Sequence, residues 1–167
     1  MRLAILLFAF LTLAHPAAFA LPEAKPETDA QKAVRYTAAL EAEPLAAAAR
    51  EQRKWLMGWL EATPDYVVTV CDVFGSTLKE DAPYAAELMA QQMFGNFAYQ
   101  ITLPGVHDEV SKQAAGMESA LKAYSAILAA KPKAHIPYYD GLLAEQAKGT
   151  LKQHLAPVID KACTQKT

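Results

Sequence analysis

The sequence predicts an all-α fold, an up-and-down bundle of about five to seven helices in a single domain. Three observations predict it. Apolar residues recur at three- and four-residue spacing through residues 81–102 and 108–130, the period of a helix with one buried face. Capping residues, prolines and glycines punctuate the chain at helix-length intervals. No two alternating segments are joined by a hairpin turn, so no convincing strand pair arises.

Residues 1–20 read as a secretory signal peptide. Arg2 supplies the positive end, Leu3 to Leu13 form an apolar run, and Ala18-Phe19-Ala20 gives a small-x-small cleavage site. The run is shorter than the roughly 20 residues needed to cross a bilayer core, and Pro16 interrupts its end. The residue directly after the expected cleavage point is Leu21 rather than a cysteine, which argues against a lipid anchor. Residues 21–27 are expected to be a flexible lead-in, and residues 28–165 the helical bundle domain. No later stretch is apolar enough to predict a transmembrane segment, so the mature chain is expected to be periplasmic or secreted.

The chain carries 16 basic and 18 acidic residues. That mildly acidic balance, without a basic stripe, argues against nucleic acid as a partner, because nothing would displace counterions from phosphates. Its two cysteines, Cys71 and Cys163, make an even count in a chain expected to reach an oxidising compartment. A Cys71–Cys163 disulfide is therefore expected, and no C-x-x-C redox motif accompanies it.

Taken in order, Thr28 and Asp29 can cap a first helix over residues 30–42. Pro44 suits the first position of a second helix running to residue 62, with Trp55, Leu56, Trp59 and Leu60 on a broad apolar stripe. Thr63-Pro64-Asp65 reads as another helix start. Tyr66, Val67, Val70, Cys71 and Phe74 then recur at helical spacing up to Gly75. The β-branched run there could be extended, but a lone strand has nothing to pair with, so a helix is expected. Asp81 should cap a central helix to Thr102, with Glu87, Gln91, Asn96 and Gln100 on its polar side. Gly95 in mid-helix predicts close approach of a neighbouring backbone at a cost of about 1 kcal/mol against alanine. A helix from about Asp108 to Ala130 follows, with Asp108–Lys112 and Glu118–Lys122 as favourable i,i+4 pairs. Lys131-Pro132-Lys133 stops it. Pro137 opens a short helix that Gly149 closes. Thr150 caps a last one, which Pro157 is expected to kink or split.

The candidate sites are sparse. Gln91, Asn96 and Gln100, together with Trp55 and Trp59, form a possible ligand surface, although two tryptophans one turn apart more often anchor a core. Met89 and Met93 share a helix face at a spacing that could hold a soft Cu(I) ion, but methionines beside Phe94 and Phe97 are better explained as core gap-fillers. His154 could pair with a methionine such as Met57 to ligate haem; no C-x-x-C-H motif supports it. His107 and His135 fall in connections, where solvation is expected. No G-x-S-x-G turn, metal cluster or phosphate loop is present, and the acidic pairs Glu80/Asp81 and Glu41/Glu43 read as capping and solvation. No cofactor and no catalytic residue is therefore assigned, and binding is favoured over enzymatic activity.

Ala120, Tyr124, Leu128 and Pro132 echo the second helix of a tetratricopeptide repeat. The preceding helix lacks the repeat's aromatic and glycine positions, and no 34-residue period accompanies them. The segments QQMFGNFAYQITLPG and ESALKAYSAILAAKPKA resemble a family of small exported bacterial proteins with no assigned activity. That resemblance implies a bacterial envelope or secreted protein and nothing more specific; the residues themselves favour a module that engages an unknown protein or small molecule. The alternative is an exported helical metal- or haem-binding protein with methionine and histidine ligands drawn from Met89, Met93 and His154.

Overall fold

A computed structural model describes residues 25–71, 73, 82–105 and 108–164. They form six helices: α1 (Asp29–Ala42), α2 (Ala49–Ala62), α3 (Ala85–Thr102), α4 (Glu109–Ala130), α5 (Pro137–Ala147) and α6 (Leu151–Thr164). The all-helical bundle is thus observed. The expected signal peptide, the first part of the lead-in, Phe74, Gly75, Glu80, Asp81 and His107 lie outside the described residues.

The central pair is α3 on α4, and the remaining helices divide between its two sides. α5 and α6 pack on α4, while α1 and α2 pack toward α3. Two apolar cores result. The larger gathers Leu88, Met117, Leu121, Tyr124, Tyr139 and Ile159 from α3 to α6. The smaller gathers Ala33, Leu40, Leu56, Phe94 and Phe97, with Trp55 and Trp59 packed against it. Among the described residues no helix is long and apolar enough to cross a membrane.

Glycines set the closeness of the central pair, as Gly95 predicted. A Cβ on Gly95 would collide with the Ser119 side chain, and one on Gly116 would sit 2.5 Å from the Gln92 carbonyl oxygen. Several ends follow the sequence signals. Thr28 and Gln31 form a reciprocal capping box on α1, and Asp108 accepts from the Ser111 N–H at 2.8 Å to cap α4. Pro137 occupies the first turn of α5, and Gly149 takes a left-handed φ of 73° after it.

The structure corrects four expectations. α2 begins at Ala49 rather than at Pro44, because residues 43–49 close three-residue turns (Ala46 N–H to Glu43 O, Ala49 N–H to Ala46 O). The Pro44 carbonyl accepts from Arg53 instead. The central helix starts at Ala85, after Tyr84 in a left-handed conformation with φ of 61°. The i,i+4 pairs are replaced: Lys112 bonds Glu109 at 2.8 Å, and Lys122 reaches Glu41 of α1 at 3.0 Å. Above all, residues 66–71 form no helix. They run as a strap over α3 and α4, with two of its carbonyls taken by side chains. Gln100 donates to Val67 O at 3.0 Å and Gln113 to Thr69 O at 2.8 Å. α6 continues through Pro157. The last residue of the lead-in, Glu27, is held by Arg35 Nε and Nη2 at 2.7 and 2.8 Å.

Candidate functional site

A concavity with polar groups at its edge lies on α2 near the start of α1. Trp55 and Trp59 stand one helical turn apart, so their indoles share a face, with ring centroids 5.7 Å apart and planes inclined by 17°. Both are half-buried. Tyr36 meets Trp55 edge-on at 5.4 Å, and Phe97 meets Trp59 edge-on at 5.0 Å, with Tyr66 of the strap 6.4 Å from Trp59. Lys32 Nζ sits 4.1 Å over the Trp55 ring, a cation–π contact. The rings are therefore held from behind by packed neighbours.

In front of them opens a groove of about 470 Å³ lined by Asp29, Glu51, Lys54, Trp55, Gly58, Trp59 and Ala62. Gly58 contributes no side chain, and nothing lies within 4 Å of where its Cβ would stand. The floor is thus backbone and small residues, the wall aromatic, and the rim carries charges of both signs.

The other half of the expected ligand surface is elsewhere. Gln91 and Asn96 are buried, at 3% and 1% exposure, which corrects their reading as surface groups. Gln91 Nε2 donates to Thr37 O at 3.2 Å and to Ser119 Oγ at 2.8 Å, tying α3 to α1 and α4. Asn96 Oδ1 accepts from Gln100 at 2.9 Å, while its Nδ2 finds no partner among the described residues. These amides form an internal layer, because the glycine contact draws α3 so near α4 that its polar side also packs. Gln100 is partly exposed but serves the strap. The sequence thus named five residues for one surface, and the structure brings only Trp55 and Trp59 together there.

The metal-ligand alternative fares no better geometrically. Met89 is 47% exposed, which corrects its reading as a core gap-filler, and His154 is exposed. α3 packs on α4, α1 and α2, whereas α6 packs on α4 and α5. Met89 and Met93 therefore share no packed helix pair with His154, and neither does Met57 on α2.

Two further polar clusters were not legible in the sequence. Tyr124 OH donates to Asp140 Oδ1 at 2.7 Å and accepts from the Ile136 N–H at 2.8 Å, while His135 Nδ1 stands 3.2 Å from the same carboxylate. Burial pushes the Tyr124 phenol up to about 12, so it remains a protonated donor that locks the α4–α5 turn. The second cluster surrounds the disulfide. Cys71 and Cys163 are bonded, with Cα atoms 5.1 Å apart, and Glu109 lies beside them. The bridge fastens α6 to the strap rather than to the expected third helix.

No protein-family model, curated protein or solved structure matches this chain.

Proposed function

We propose that this chain is an exported binding module of the bacterial envelope, and that its ligand face is the Trp55–Trp59 groove. The observation that carries the reading is a half-exposed indole pair clamped from behind and fronted by an open, glycine-floored groove. Rigid aromatic surface of this kind offers contact area at little entropic cost. The rim narrows the ligand class. Asp29 and Glu51 oppose an anion, while Lys54, with Lys32 over the Trp55 ring, opposes a cation. A neutral, polyhydroxylated ring satisfies both, its C–H face on an indole and its hydroxyls on the rim charges. We assign the groove to a saccharide. The signal-like first twenty residues and the resemblance to small exported bacterial proteins support the periplasmic or secreted setting.

The chain's two tryptophans both line the groove, so intrinsic fluorescence reports on it directly. Titration with soluble oligomers of β-linked glucose or N-acetylglucosamine should give a saturable change in emission, with Kd in the millimolar range or tighter, equivalent to at least about 4 kcal/mol. Gly58→Leu, which fills the groove while keeping a good helix former, should abolish it. A flat titration up to about 10 mM, where such a Kd would saturate the site, would remove the saccharide reading.

A further inference from the structure

We propose that the Cys71–Cys163 pair, in its dithiol state, is a zinc site completed by Glu109. The sulfur atoms and a Glu109 carboxylate oxygen all lie within 4.8 Å of one another. Two thiolates and one carboxylate, with water as fourth ligand, make a donor set that suits tetrahedral Zn(II). Cys71 ends the strap and Cys163 lies in the last turn of α6, so the sulfurs can part to the separation of two ligands on one ion without repacking a core helix. Cys163 and Glu109 are only partly buried, which leaves a path for the ion and room for the water.

The surroundings are already arranged as an outer shell. Gln113 Nε2 donates to Glu109 Oε1 at 2.8 Å and lies 3.8 Å from Cys71 Sγ. Lys112 Nζ bonds Glu109 Oε2 at 2.8 Å, and Thr69 Oγ1 reaches the same oxygen at 3.5 Å. These contacts orient the carboxylate and leave it lone pairs for a metal. They also balance charge: two thiolates and a carboxylate offset one divalent ion and the Lys112 ammonium. In the disulfide state the same lysine and glutamine simply hold Glu109 beside the bridge.

The exchange between states balances. A dithiol reductant gives two electrons and two protons to the bridge and itself closes to a disulfide. Zn(II) then displaces the two thiol protons. A disulfide oxidant reverses the sequence, releasing the ion as the bridge reforms.

Co(II), a spectroscopic stand-in for Zn(II), tests this on the protein reduced and held without oxygen. The reduced protein should bind one Co(II), showing tetrahedral d–d bands and thiolate-to-metal charge transfer that Zn(II) abolishes by displacement. The disulfide form should show neither. Glu109→Gln should keep the charge transfer but weaken affinity about tenfold or more, and C71S should remove it. Circular dichroism of the same samples follows the fold. The proposal is overturned if reduced protein gives only the spectrum of hydrated Co(II), if Glu109→Gln binds as tightly as the parent, or if reduction unfolds the chain and metal does not restore its helices. The Trp55–Trp59 groove takes no part in this experiment, so the two proposals stand or fall separately.

Discussion

At the scale of single residues, glycine positions separate packing from ligand binding. Gly95 and Gly116 face each other's helices, and a methyl group on Gly116 would press on the backbone carbonyl of Gln92. Overpacking of this kind typically costs 1–3 kcal/mol, so Gly116→Ala should destabilise by about 2 kcal/mol in urea unfolding. Gly58 is the contrast, because its surroundings are open. Gly58→Ala should stabilise α2 by up to about 1 kcal/mol, measured the same way, and a loss instead would show the groove floor to be packed. Gly95 was legible because a glycine in an otherwise strong helical pattern has few other uses. The burial of Gln91 and Asn96 was not. Their place on the polar arc implied solvent, and only the opposite helix, drawn close by the glycines, turns that arc inward.

At the scale of elements, the strap over residues 66–71 is the lesson. Its residues carry a helical spacing, and an unpaired strand looked untenable because its carbonyls would go unsatisfied. The structure answers with side chains: Gln100 and Gln113 serve Val67 O and Thr69 O, and just past the strap Tyr138 OH serves Val73 O at 3.1 Å. Val67 and Val70, which the helical reading placed on the buried stripe, are 68% and 64% exposed. Partners drawn from residues 33 to 65 positions away cannot be read from local pattern. Gln113 also binds Glu109, so Gln113→Ala should loosen strap and carboxylate together, costing about 1–3 kcal/mol for the buried groups left unsatisfied. Faster hydrogen exchange confined to the strap and the start of α4 would show it. In α6, Pro157 is exposed inside the helix and deprives Gln153 of its helical donor. Pro157→Ala should therefore stabilise, by about 1–3 kcal/mol, in thermal melts.

At the scale of the whole molecule, pH acts from both ends. Hydrogen bonds from the Ser111 hydroxyl and N–H hold the Asp108 carboxyl below its ordinary value. The bond from Lys148, then that from Thr150, does the same for Glu145. Folded carboxyls that resist protonation contribute stability above their unfolded pKa and lose it as pH falls through the folded one. Melting temperature should thus decline below about pH 4, and Asp108→Asn should flatten part of that decline. Tyrosines act in the opposite sense. Burial raises Tyr138 and Tyr139 and lifts Tyr124 to about 12. An unfolded phenol ionises near 10, so stability is intact below that value and drains away between about pH 10 and 12. Phenolate absorbance and loss of helical signal should rise together in that window. The disulfide joins positions 92 apart, and in the chain-entropy model its reduction without metal should cost about 4–5 kcal/mol, read as a fall in the urea midpoint. Fold class and the cysteine pair were legible because periodicity and cysteine parity are one-dimensional signals. The Cys71–Glu109–Cys163 cluster was not, since its three residues meet only when strap, α4 and α6 are assembled.

The bridge also makes the chain a closed loop with a tail. α3 to α6 lie inside a covalent ring, while α1 and α2, with both tryptophans, hang outside it. A single cut within the ring leaves one connected molecule until reductant is added, whereas a cut between α1 and α2 leaves α1 held by packing alone. Chain entropy is withdrawn mainly from one half, so local opening will concentrate in the other. A ligand in the tryptophan groove would bind that untethered half and add its binding free energy to the part of the molecule the bridge does not reach.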